Sequence, residues 1–304
     1  MTNSSPQNAR LSMRQRDCFP NSWISSNSCN LLLPAEISAG KWDFILNTHL
    51  SIPLPCTSPR WRCQKKEDAQ KSNRFNFAVD VGCGSGQGTV LLAPYFTKVV
   101  GTDISQAQLE MAQTNSKPPN VSYRQSPAEE LPFANSEVDL VTAMTAAHWF
   151  DRQKFLVEAD RVLKPGGCLA LLSYTMNMGL EYEDKSEALN DICKEFYAAL
   201  LPFRDPYLGT DSGKIYSDMF ESCSYPDKEW NESFHVKKTL PLDSYIGMVQ
   251  TFSSFQKLLK KDPEEARRLS DDIRTKLLSA MKVSSPETEV TVVIKYFYWL
   301  ARKP

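Results

Sequence analysis

The chain is poor in the residues that build metal sites. Its 304 residues include three histidines, and its eight cysteines form no Cys-x-x-Cys pair. Neither a zinc site nor a disulfide scaffold is expected from that supply. No stretch approaches the roughly 18 apolar residues of a membrane-spanning helix. The start has no charged segment leading into an apolar one, so no secretory leader is expected. Neither sign of charge is in excess: 35 Lys and Arg face 36 Asp and Glu. That balance argues against a general nucleic-acid footprint. Together these absences predict a soluble, cytoplasmic protein with reduced thiols and neither nucleic-acid nor membrane partners.

The first 74 residues differ from the rest. They hold 10 Lys and Arg against 5 Asp and Glu, half of the cysteines and three of the six tryptophans. Neither a helical nor an alternating period runs through them. The segment 1–74 is expected to be disordered or loosely docked.

From Phe75 onward the pattern is regular. Phe77 to Val81, Lys98 to Asp103, Val121 to Arg124, Val138 to Ala143 and Cys168 to Tyr174 read as strands. Helices alternate with them: Thr89 to Tyr95, a second capped by Ser105, and a third capped by Asp151. The third carries Phe155, Leu156, Ala159, Val162 and Leu163 on one face, and Pro165-Gly166-Gly167 ends it. This alternation implies a parallel sheet with right-handed crossovers. Further on, Leu189, Ile192, Phe196 and Leu200 share a helix face. Phe234 to Leu240 is a candidate strand, Asp243 to Leu259 and Pro263 to Met281 read as helices, and Thr288 to Leu300 as a late strand.

Val79 to Thr89, VDVGCGSGQGT, is the most informative stretch. A buried strand runs into a loop with Gly82, Gly84, Gly86 and Gly88, where glycine permits positive φ and close approach of a ligand. The dinucleotide spacing G-x-G-x-x-G/A fails, because Gln87 and Thr89 stand where a glycine or alanine is required. A phosphate-binding P-loop fails too, since no Gly-Lys-Ser/Thr follows. Asp103 ends the second strand about 20 residues after the loop, where an acid can bind ribose hydroxyls.

With Asp80 ahead of Gly82, Gly84 and Gly86, the loop resembles motif I of class I S-adenosylmethionine-dependent methyltransferases. Ser126 to Phe133 resembles the adenine-contacting loop of that family, and Leu163-Lys164-Pro165-Gly166-Gly167 resembles the turn before its fifth strand. The stretch Thr145 to Asp151 is similar to the small-molecule group that includes trans-aconitate methyltransferase. The resemblance covers about 73–304 and is sharpest over 79–173. It implies a Rossmann-like α/β fold, with a seven-stranded, mostly parallel sheet and an antiparallel last strand. It implies S-adenosylmethionine as cofactor, held by Asp80, Gly82, Gly84, Gly86, Asp103, Ile104, Ala128 and Glu129. The acceptor implied is a small molecule, with a carboxylate as one option. The region 174–304 would complete the domain and help cover the substrate.

Methyl transfer from a sulfonium needs alignment and exclusion of water, not a metal. A general base is required only if the acceptor carries a proton. His148 is the histidine placed for that role; alternatively it hydrogen-bonds the backbone and orders its loop. Before Phe75 the chain departs from the family pattern of an N-terminal helix closing over the cofactor. That departure supports a second reading, a methyltransferase-like binding or regulatory protein without turnover.

Overall fold

The computed structural model describes residues 75–175, 177–208 and 212–304. The expectation for 1–74 falls outside these residues. Eight strands form one sheet. Four run parallel from one edge inward: β1 (Phe75–Val81), β2 (Phe96–Asp103), β3 (Val121–Gln125) and β4 (Val138–Met144), with β3 at the edge. The order runs β3-β2-β1-β4, then β5 (Leu163–Tyr174), parallel to β4. The final strand, β8 (Glu289–Arg302), pairs antiparallel with β5 through Cys168↔Arg302 to Tyr174↔Tyr296. It also pairs antiparallel with the short β6 (Gly179–Glu181) and along the whole of β7 (Asp227–Pro241). β8 is therefore the one strand running against the other seven.

The sheet expected from the sequence has one strand fewer. The addition is β6, which continues past the end of β5 along the same edge of β8. Three residues give no readable alternation, so only the pairing to Thr291–Val293 defines it. β7 is longer than the stretch read as strand, because pairing with β8 carries it back to Asp227.

The helices cover both faces of the sheet. Alternation in β8 shows the division: Val292, Ile294, Tyr296 and Tyr298 point into one apolar cluster, Phe297, Trp299 and Ala301 into the other. The first cluster takes α4 (Ser186–Leu200), α6 (Leu242–Gln250), α7 (Ser253–Lys261) and α8 (Pro263–Met281). The second takes α3 (Arg152–Val162) and α5 (Ser212–Ser222). Phe155, Ala159 and Val162 are fully buried on α3, as their spacing predicts, but Leu156 is only half-buried and Leu163 is the first residue of β5, since the helix ends at Val162.

α1 (Gln87–Leu91) and α2 (Gln106–Thr114) follow β1 and β2. Ser105 caps α2 by accepting from Gln108 N–H, and Asp151 caps α3 by accepting from Lys154 N–H, each at 3.4 Å. The stretch read as one helix from Asp243 to Leu259 is two. Phe252 is extended there, and the Gln256 side chain donates to the Gln250 carbonyl at 2.7 Å, satisfying the broken helix end.

Candidate active site

The parallel strands all release their chains at one sheet edge, where β1, β2 and β4 end in loops. A cleft of about 190 Å³, open to solvent at its mouth, lies there. Among its lining residues are Asp80, Gly82, Gly84, Asp103, Ile104 and Ala128. Six of the eight residues expected to hold a cofactor thus meet in one place. Gly86 and Glu129 lie outside the lining.

The glycine loop is tied down from β2. The Thr102 carbonyl accepts from Gly82 N–H at 2.7 Å and Cys83 N–H at 2.9 Å. Asp103 accepts from Gly84 N–H through Oδ2 at 2.9 Å and from Ser105 N–H through Oδ1 at 2.8 Å. One carboxylate therefore fixes both the loop and the start of α2. Gly82 and Gly84 have φ of 70° and 54°. A β-carbon on Gly82 would come within 2.5 Å of the Ala146 methyl, so a side chain there would collide with the loop after β4. Gly86, at φ 84°, is the N-cap of α1 and packs on Tyr123.

Asp80 is buried at the end of β1. Its Oδ2 accepts from the Thr89 hydroxyl at 2.6 Å, while Oδ1 is shut from solvent with no hydrogen-bond partner. Burial is the main cause that pushes this carboxyl up to about 7. The Asp103 carboxyl is also raised by burial, against the backbone N–H bonds that lower it.

The loop after β3 carries Ser126 and Ala128 into the cleft. α3 holds that loop. Arg161 donates to the carbonyls of Leu131 (3.0 Å) and Phe133 (2.9 Å), and Glu158 accepts from Leu131 N–H at 2.6 Å. Glu129 points away to α3, where its Oε1 accepts from Asp151 N–H at 2.7 Å.

The loop after β4 closes the far wall with Thr145, Ala146, Trp149 and Phe150. Thr145 is held at φ 57°, a strained conformation for a β-branched residue. Its N–H donates to the Leu172 carbonyl at 2.7 Å. His148 is not in the cleft lining. Its Nδ1 sits 3.2 Å from the hydroxyl of Tyr216 on α5, and its ring lies 5.3 Å from that of Trp149. Burial, with the Arg204 charge as a second cause, lowers its basicity to about 4. The imidazole is neutral at neutral pH.

Sequence reasoning passed over Thr89, Tyr123, Arg161 and Tyr216. Each acts across more than one element, and no local spacing marks such a contact. Among the described residues no cluster of His, Cys, Asp and Glu could hold a metal, and no helix is long and apolar enough to cross a membrane.

Comparison with known proteins agrees with this geometry. A family model described as a methyltransferase domain matches residues 79–171, from the end of β1 into β5. An uncharacterized methyltransferase of Schizosaccharomyces pombe is 30% identical over 208 residues, covering 66% of this chain and 74% of that one. A Dictyostelium discoideum protein named as a methyltransferase is 28% identical over 236 residues, 78% of this chain and 85% of that one. A solved structure described as a type II methyltransferase from Anaeromyxobacter dehalogenans shares the fold. Its TM-score is 0.60 at 24% identity, with 77% of this chain and 92% of that chain covered. With the loop, the strand-end acid and the sheet order all in place, the chain belongs to the class I S-adenosylmethionine-dependent methyltransferases.

Proposed function

We propose that this enzyme moves a methyl group from S-adenosylmethionine to a small-molecule acceptor bearing a carboxylate, using the cleft at the ends of β1, β2 and β4. The observation that carries this reading is the orphaned Asp80 oxygen, buried in a cleft that also presents Asp103 and a glycine loop. Two acids suit a cationic ligand with ribose hydroxyls, and the bare loop leaves room for close backbone approach. Ile104 and Ala128 supply apolar walls suited to a nucleobase.

When bound, S-adenosylmethionine supplies a methyl carbon whose bond to sulfur breaks, the electron pair leaving on sulfur, as an acceptor oxygen bonds to carbon. The chain's residues do the positioning. Asp103 keeps Gly84 and Ser105 in place and has remaining lone pairs for hydroxyl groups. Asp80, buried at the end of β1 and accepting from the Thr89 hydroxyl, ties that strand to α1 beside the loop. Trp149 and Phe150 exclude water from the wall nearest the acceptor. A carboxylate brings no proton to remove. His148, held neutral by burial, then acts through a hydrogen bond and not as a base.

Calorimetry with S-adenosylmethionine and S-adenosylhomocysteine on the full chain tests the cofactor site. Labelled transfer across carboxylic acids, alcohols, thiols and amines tests the acceptor. The expected result is micromolar binding and label on an acid, released by mild alkali as a methyl ester would be. Label confined to the other acceptors would remove the carboxylate reading.

A further inference from the structure

Phe150 forms part of the cleft wall, and its backbone is held from outside the cleft. The chain leaves the single turn Ala147–Trp149 and is extended at Phe150 before α3 begins. There the Phe150 carbonyl accepts from the Tyr207 hydroxyl at 2.6 Å. The Phe150 ring packs on the glycine loop, since a β-carbon on Gly82 would stand 3.0 Å from its Cζ. Phe155 meets the same ring edge-on, with centroids 4.9 Å apart. The ring is thus fixed by α3 and the backbone by Tyr207.

Tyr207 does not itself line the cleft. It lies between α4 and α5, beyond the stretch that the methyltransferase family model matches. Its anchor is the buried Asp205. One oxygen of that carboxylate accepts from Tyr207 N–H at 3.0 Å, and the other pairs with Lys257 of α7 at 2.7 Å. A buried carboxylate holds such partners firmly, because losing one leaves its charge uncompensated. Arg152 lies over the Tyr207 ring, 5.0 Å from the centroid, and steadies it from the other side. Contacts therefore run unbroken from α7 to the glycine loop, through Lys257, Asp205, Tyr207, Phe150 and Gly82.

We propose that Tyr207 is a positioning residue for cofactor binding, whose hydroxyl keeps Phe150 seated against the glycine loop. This rests on the cleft being the cofactor site, as read above. Tyr207 touches neither cofactor nor acceptor and acts through Phe150 alone. A wall already held in place need not be ordered when the ligand arrives, so affinity is gained without a new contact. The second half of the chain thereby sets the shape of a site built by the first.

The test is calorimetry with S-adenosylhomocysteine on the full chain, which needs no acceptor. Tyr207→Phe keeps the ring beside Arg152 and removes only the hydroxyl. It is expected to weaken binding about three- to tenfold. It should also quicken amide exchange across Val79 to Thr89. Tyr225→Phe is the matched control. It removes a hydroxyl that donates to Asp160 of α3 at 2.7 Å, away from the cleft lining. It should lower Tm by a similar margin and leave affinity unchanged. Lys257→Met should weaken binding in the same direction and Lys257→Arg should restore it, so the comparison stands even where Tyr207→Phe fails to fold. Unchanged affinity in a folded Tyr207→Phe protein overturns the proposal. An equal loss in Tyr225→Phe overturns it too, by making stability and not position the cause. Parent affinity that Asp103→Ala leaves unmoved would put the cofactor elsewhere, overturning the cleft reading and this proposal with it.

Discussion

The hydroxyl of Tyr123 occupies the space that a β-carbon on Gly86 would need. Tyr123 stands on β3 and Gly86 on the loop after β1, with β2 between them. The loop is therefore packed from beneath by a strand two positions away. Gly86 also has φ 84°. Gly86→Ala should lose stability on both counts, with the backbone part alone about 1–3 kcal/mol. Denaturant unfolding measures it. Tyr123→Ala in the same background should recover the steric part and leave the backbone part. A Gly86→Ala protein as stable as its parent would contradict the packing.

Asp103 makes two charge-assisted bonds to backbone N–H groups. Asp103→Asn keeps an oxygen for one of them and places an amide against the other. The loss should be about 1.5–3 kcal/mol for one such bond, and Asp103→Ala should lose both. S-adenosylhomocysteine affinity should fall in the order Asp, Asn, Ala. Amide hydrogen exchange at Gly84 should quicken in the same order, which separates loop loosening from simple loss of a ligand contact.

Folding raises the Asp80 carboxyl from 3.8 to about 7. The folded state therefore holds the proton more tightly than the unfolded chain. The stability this supplies is complete below the unfolded value and is lost as pH rises through the folded one. Asp80→Asn cannot ionise, and its amide oxygen can still accept from Thr89. It should melt higher than the parent above about pH 7, by a margin that narrows toward about pH 4. Calorimetric melting of the ligand-free protein across that range checks the sign.

His148 has the opposite linkage. Its basicity falls from 6.5 to about 4 on folding. The associated stability is present above the unfolded value and is lost as pH falls through the folded one. His148→Gln should flatten the fall in melting temperature between about pH 6.5 and 4. With a carboxylate acceptor its kcat should show no new pH dependence near neutrality. A large loss of kcat that added imidazole restores would instead mark His148 as a base.

The parts of this molecule legible in sequence are those with a local cause. Ser105 and Asp151 were readable as caps because capping needs one side chain and the N–H three residues on. The glycine loop was readable because the conformation demands the residue type. Glu129 shows the limit. It sits at a contact position of a motif, yet the structure turns it to Asp151, whose N–H lies 22 residues ahead. The break between α6 and α7 has neither proline nor glycine to announce it. Arg161 and Tyr216 do their work across 28 and 68 residues, a distance over which only the folded sheet defines proximity.

The reversed strand β8 has a consequence for synthesis. β5 must wait for its outer neighbour until Arg302 has been made, because Cys168 is the partner of Arg302 in the ladder. Through that interval a nascent chain offers the ribosome surface an open, apolar strand edge, Leu169 to Leu172, with β6 and β7 equally unclaimed. Such an edge invites pairing with the wrong chain. The step most exposed to chaperone traffic and to aggregation is thus the last one. β6 and β7 both take their ladder partners from β8, so both reach the sheet only through it.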